Sequence, residues 1–193
     1  GSLPEALESI KTIVGEHTTV MSLMNGVDSE ELIAEQVGDD RVLRSLIKVA
    51  SHKEENGYYF NPETTLGIIF GELAAPFDSS TEFIREEIWG KFRLNVCNNL
   101  PQAILGAGVG CYSDSTHMKA ISDGLRRELE QIALAKGIDM SKMAGTSGRG
   151  SAVPASARYS TLQDLDAGRH TEIDMFSGAL MRMGEELGIP TPY

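Results

Sequence analysis

Leu3, Leu7, Ile10 and Val14 recur at helical spacing until Gly15 stops the run, which predicts a short first helix. Residues 18–24 (TTVMSLM) are few, partly β-branched and bounded by turn formers, the pattern of a buried strand. Asn25-Gly26 then breaks the chain, and Asp28 or Ser29 is placed to cap a helix running to about Val37. Further strands are expected over 41–50 and 65–70, with Gly57 marking a turn between them. Alternating helix and strand is the habit of an α/β layer, here too short for a complete doubly wound sheet.

Near residues 75–82 the pattern changes. Pro76, Asp78 and Ser79-x-x-Glu82, a capping box, announce a long helix. Ile84, Ile88 and Trp89 open its apolar face, which continues through Phe92, Val96 and Leu100 until Pro101 is expected to kink or restart it. A second helix is expected over 115–136, with Met118, Ile121, Leu125, Leu129 and Ile132 as its buried stripe and Gly137 as its stop. Residues 145–157 are rich in Gly, Ser and Pro and read as a loop. Ile173, Phe176, Leu180, Met183 and Leu187 give a 3-4-3-4 stripe for a last helix, closed by Gly188 and Pro190. The fold class is therefore mainly α: an α/β part over 1–80, then an all-helical domain over 81–193.

Charge narrows the partners. The 193 residues carry 17 basic and 28 acidic side chains, a formal −11, so nucleic acid is not an expected partner. A small anionic substrate remains open, because it answers to local charge. No apolar run approaches the ~18–20 residues of a membrane span and no signal-peptide pattern opens the chain, so a cytoplasmic protein with no membrane partner is expected. Cys97 and Cys111 fit no metal-binding spacing, and no metal is expected. Cys97 sits in an apolar run and reads as a buried, inert thiol.

Two groups of residues carry candidate chemistry. Lys91, Asn95 and Asn99 are each four apart and form a slowly drifting polar stripe among Phe92, Leu94, Val96, Cys97 and Leu100. It is either the solvated face of a helix or a cleft-facing set able to hold a carbonyl or carboxylate, with Lys91 as proton donor. In the second group Ser160 and Asp164 are one helical turn apart, Gly168 breaks the chain, and Thr171-x-x-Asp174 reads as a capping box. Glu172 is then a first-turn carboxylate that either compensates the helix dipole or serves chemistry. His170 has no nucleophile at a diagnostic spacing and reads as structural. The glycines of 106–110 (GAGVG) follow a helix rather than a strand and read as a loop, not a dinucleotide fingerprint.

The segments KFRLNVCNNLPQAI (91–104), GRHTEIDMFSGAL (168–180) and GIPTPY (188–193), with LMNGVDSEEL (23–32), resemble the ketopantoate reductase (2-dehydropantoate 2-reductase) family in the right order over nearly the whole chain. The resemblance implies a Rossmann-type nucleotide domain followed by a helical substrate and dimerisation domain, with a homodimer formed through the latter. It implies NADPH as cofactor and reduction of a small 2-oxo acid, ketopantoate to pantoate, on the way to coenzyme A. It favours the functional reading of both groups: Lys91 as general acid, Glu172 as its catalytic carboxylate partner, Asn95, Asn99, Ser160 and Asp164 at the substrate, and Asn25 at the cofactor. A reductase of another 2-oxo acid, or a non-catalytic helical dimerisation module, are the alternatives. Two departures matter. The family's first βαβ with its GxGxxG has no counterpart in these residues, nor has the family's final helix after Tyr193, so they are expected to be an inactive piece of a longer reductase.

Overall fold

A computed structural model of the chain describes residues 3–49, 51–54, 56–60, 62, 65, 67–72, 84–142 and 153–193. The capping box at Ser79 and the first part of the 145–157 loop lie outside the described residues. The chain divides into two units, Gly1–Ile88 and Trp89–Tyr193.

In the first unit, α1 (Leu3–Ile10) and α2 (Ser29–Val37) accompany a three-stranded sheet with its longest strand in the middle. β1 (Val20–Met21) runs parallel to β2 (Val42–Lys48), which pairs antiparallel with β5 (Gly67–Glu72) from Leu43 opposite Glu72 to Lys48 opposite Gly67. Ile33 and Ala34 of α2 bury against Val42, with Leu3, Leu7, Val20 and Val37 packed around them. Burial of each aliphatic chain of this kind contributes roughly 1.5–3 kcal/mol, and it is this contact that fixes helix on strand. The expected strand over 18–24 shortens to two residues, its pairing limited to Val20 and Met21. Between β2 and β5 the chain also makes a separate hairpin, β3 (Ser51–Glu54) with β4 (Gly57–Phe60), where only a turn at Gly57 was expected.

One polar cluster is buried in this unit. Glu30 is only 3% exposed. Its carboxylate accepts from the Ser29 hydroxyl at 2.9 Å and from the Ser45 backbone N–H at 3.3 Å, while the Ser45 hydroxyl donates to the Ser22 carbonyl. Burial outweighs these bonds and raises the Glu30 pKa. A carboxyl that binds its proton more tightly when folded stabilises the fold below glutamate's ordinary ~4.3. That contribution is lost as pH rises through the raised value. Glu30→Gln is therefore expected to melt about 2–4 °C above the native chain at pH 8, with the difference vanishing near pH 4, in thermal unfolding followed by circular dichroism.

The second unit is helical. After α3 (Ile84–Leu94) come α4 (Leu100–Leu105), α5 (Cys111–Asp114), α6 (Thr116–Ala135), α7 (Ser160–Asp166) and α8 (Ala179–Leu187). The Ser115 hydroxyl accepts from the Met118 N–H at 3.2 Å and starts α6 where the sequence places it. Met118, Leu125, Leu129 and Ile132 bury as expected, but Ile121 is exposed. Phe176, Leu180 and Met183 form the buried stripe of α8 and the turn before it, while Ile173 and Leu187 at the ends stay exposed. Trp89 and Phe92 meet edge to face at 5.8 Å between ring centres.

Pro101 does not break the helix. Residues Asn95–Asn99 form a π turn that links α3 to α4, closed by the Leu100 N–H bonding to the Asn95 carbonyl five residues back. Proline has no N–H to return to residue 97, and widening the preceding turn lets the helix run on. A second π turn, Asp174–Gly178, precedes α8, and the two π turns pack together. Among the described residues no helix is long and apolar enough to cross a membrane.

Candidate active site

Lys91 lies on the last turns of α3 and is half-buried, one turn before Asn95. Asn95 and Asn99 occupy the two ends of the first π turn and are 7% and 4% exposed, so this row is no solvated helix face. Asn99 Nδ2 donates to Asn95 Oδ1 at 3.0 Å and lies 3.3 Å from Ser160 Oγ. Residues 61 positions apart in sequence thus meet side chain to side chain. Asn99 Oδ1 is buried without a protein partner. An acceptor left so is costly unless a ligand donor meets it. The π turn supplies this arrangement, and such turns recur at functional sites.

Ser160 is the first residue of α7 and its side chain is exposed. Asp164, one turn on, is held by Arg169: Nε at 2.8 Å and Nη2 at 2.7 Å from the same carboxylate oxygen. That pairing makes Asp164 a support for the end of α7, which Gly168 closes with φ at +64°. Glu172 stands just before the helical residues begin at Ile173, not within their first turn. Its backbone carbonyl accepts from the Met175 N–H at 3.0 Å. Glu172 is half-buried and lies beside the π turn that packs against the Asn95–Asn99 turn. His170 is exposed.

Three residues here escaped the sequence reading. Gln102 is completely buried. The Tyr112 hydroxyl donates to the Asn98 carbonyl inside the π turn, and burial raises its pKa. Arg158 forks onto both oxygens of Asp166, at 2.6 and 2.8 Å. Gln102 had a signal, since 95, 99 and 102 share one helical face. Cys97 is fully buried and desolvation pushes its thiol up to about 12, in keeping with an inert cysteine.

In the other unit, Asn25 lies four residues past the end of β1 and four before α2, half-buried. This is the carboxyl end of a parallel pair, where open α/β sheets receive their ligands. The start of α2 carries Asp28, Glu30 and Glu31, which repel phosphate, so it offers Asn25's neighbourhood no pyrophosphate seat.

A family model described as ketopantoate reductase C terminal matches residues 83–193, and its companion, ketopantoate reductase, matches residues 1–74. A 2-dehydropantoate 2-reductase of Streptococcus pyogenes is 27% identical over 214 residues, covering 99% of this chain and 68% of the relative. Among solved structures, a D-mandelate dehydrogenase in complex with NADH superposes with a TM-score of 0.77 at 20% identity, over 98% of this chain and 70% of that one. A dimeric ketopantoate reductase from Staphylococcus aureus gives 0.75 at 14% identity, over 98% and 70%. These likenesses establish a shared fold.

Proposed function

Since the chain belongs to the ketopantoate reductase family, we propose that its helical unit holds the 2-oxo acid and the acid–base groups of an NADPH-dependent 2-dehydropantoate 2-reductase. The observation that carries this is Asn99 bridging Asn95 and Ser160 with a buried acceptor to spare. Two carboxamides and a hydroxyl at one point suit a substrate with adjacent carboxylate, carbonyl and hydroxyl oxygens. The cofactor, when bound, supplies the hydride that reaches the keto carbon. Lys91 then stabilises the charge growing on the carbonyl oxygen and protonates it. Glu172 orients the substrate hydroxyl and the Lys91 ammonium, and Asn25 contacts the nicotinamide end of the cofactor. Asp164 supports Ser160 through α7. A homodimer through the helical unit belongs to the same reading, in line with the dimeric fold neighbour.

The test is oxidation of NADPH, and of NADH in parallel, by 2-dehydropantoate and a panel of other 2-oxo acids. It is run on these 193 residues and on the longest chain the gene encodes. Ser160→Ala is expected to raise KM for the preferred acid ~10-fold, the worth of one charge-assisted hydrogen bond, with KM for the cofactor unmoved. Failure of every 2-oxo acid to be reduced or bound by the longest chain would remove the assignment.

A further inference from the structure

Segment 155–159 leads into Ser160 without regular structure of its own, yet α4 and the glycine loop after it pin the segment at every second residue. The Gly110 N–H donates to the Ala155 carbonyl at 2.8 Å and the Val109 N–H to the Ala157 carbonyl at 2.9 Å. Gln102 Nε2 donates to that same Ala157 carbonyl at 3.2 Å, and Gln102 Oε1 accepts from the Tyr159 N–H at 2.6 Å. Arg158 Nη1 reaches the Gly106 carbonyl at 3.3 Å. Gly108 completes the fit, because a Cβ there would stand 2.4 Å from the Ala155 carbonyl oxygen. The GAGVG run that resembles a nucleotide fingerprint is therefore a backbone cradle for another loop.

Gln102 is the centre of this harness. It is fully buried, uses both ends of its amide on the segment, and sits three residues after Asn99 on a continuous helix. Its bond to Tyr159 ends on the residue immediately before Ser160. Asn99 and Ser160 are 3.3 Å apart but come from segments that the chain alone leaves independent. We propose that Gln102 is a positioning residue for substrate binding: it sets the height and direction of Ser160 opposite Asn99, so that both address the same oxygens. This rests on the substrate role given to Ser160 above. An apolar side chain of the same length fills the volume but leaves the Tyr159 N–H without its acceptor, and the start of α7 is then free to drift from Asn99.

The experiment is a double-mutant cycle in the longest chain the gene encodes, using Gln102→Met, Ser160→Ala and the double variant. KM for 2-dehydropantoate is read alongside its calorimetric Kd measured without cofactor. Gln102→Met is expected to raise both constants ~10-fold, with kcat within about 2-fold of native and KM for NADPH unmoved. The double variant is expected to show no more than the Ser160→Ala effect, because Gln102 acts through Ser160. Gly108→Ala, pressing on the same segment from its other side, should give the same substrate-selective loss, and it carries the cycle should Gln102→Met fail to fold. Effects that multiply in the double variant, or an unmoved KM with only a lower melting point, overturn the positioning role and leave Ser160 at the substrate. An unmoved KM in Ser160→Ala alone overturns the substrate reading and this inference with it.

Discussion

Lys91→Ala is expected to lower kcat by ~10²–10⁴-fold, the usual worth of general acid–base help, with KM for the 2-oxo acid changed far less. The loss falls on the chemical step, where oxygen gains charge as the carbonyl is reduced, and amounts to about 2.7–5.5 kcal/mol of transition-state stabilisation. Lys91→Arg should not restore the rate. Arginine keeps the charge but holds its proton too tightly to give it up, and its planar fork does not occupy the place of a compact ammonium. Steady-state kinetics under saturating NADPH, with cofactor affinity measured separately, decides the matter. Near-native turnover of Lys91→Ala would mean that Lys91 does not reach the reacting oxygen, whereas near-native turnover of Lys91→Arg would leave it a charge and remove it as proton donor.

Glu172→Gln is expected to cut kcat/KM at least ~100-fold, about 2.7 kcal/mol, while the melting temperature barely moves. The structure sharpens this contrast. A carboxylate in a helix's first turn contributes only ~0.3–1 kcal/mol through the dipole. Glu172 stands outside the helical residues, half-buried beside the contact between the two π turns. Glutamine keeps one acceptor but loses the charge that holds an ammonium and orients a hydroxyl, so the pH profile of turnover should change with the rate. Unchanged kinetics with a slightly lower melting point would make Glu172 an ordinary helix-start carboxylate.

Local signals carried much of the fold into the sequence. Ser115 announces α6 because its hydroxyl needs only the next turn as partner, and the stripe of α6 is legible because burial repeats with the helix. The hairpin of β3 and β4 was not legible: Ser-His-Lys-Glu has no apolar alternation, and its order comes from pairing with Gly57–Phe60 across the turn. Ile121 and Ile173 fit their stripes by spacing yet stay exposed, since spacing gives the face and not how far the neighbouring elements extend over it. At the site, Lys91, Asn95 and Asn99 stood out as polar residues in an apolar run. Gln102 stood in the same run, but its meaning depends on Ala157 and Tyr159, more than 50 residues away. Nothing in the sequence says that Arg169 turns back onto Asp164, because that pairing depends on the turn after α7.

The π turn at Asn95–Asn99 has a consequence in angles. Four residues of an α-helix overshoot a full revolution by about 40°, so side chains every fourth residue wind slowly around the axis. A turn closed by bonds to the fifth residue holds roughly 4.4 residues per revolution, and four of them fall short by about 30°. The step from Lys91 to Asn95 winds one way and the step from Asn95 to Asn99 winds back almost as far. What would be a steady spiral on a plain helix becomes a shallow zigzag that brings Asn99 back to within about 10° of Lys91, with Asn95 set to one side between them. Removing one residue from 95–99 would restore a plain α turn and take away the return that aligns Asn99 with Lys91.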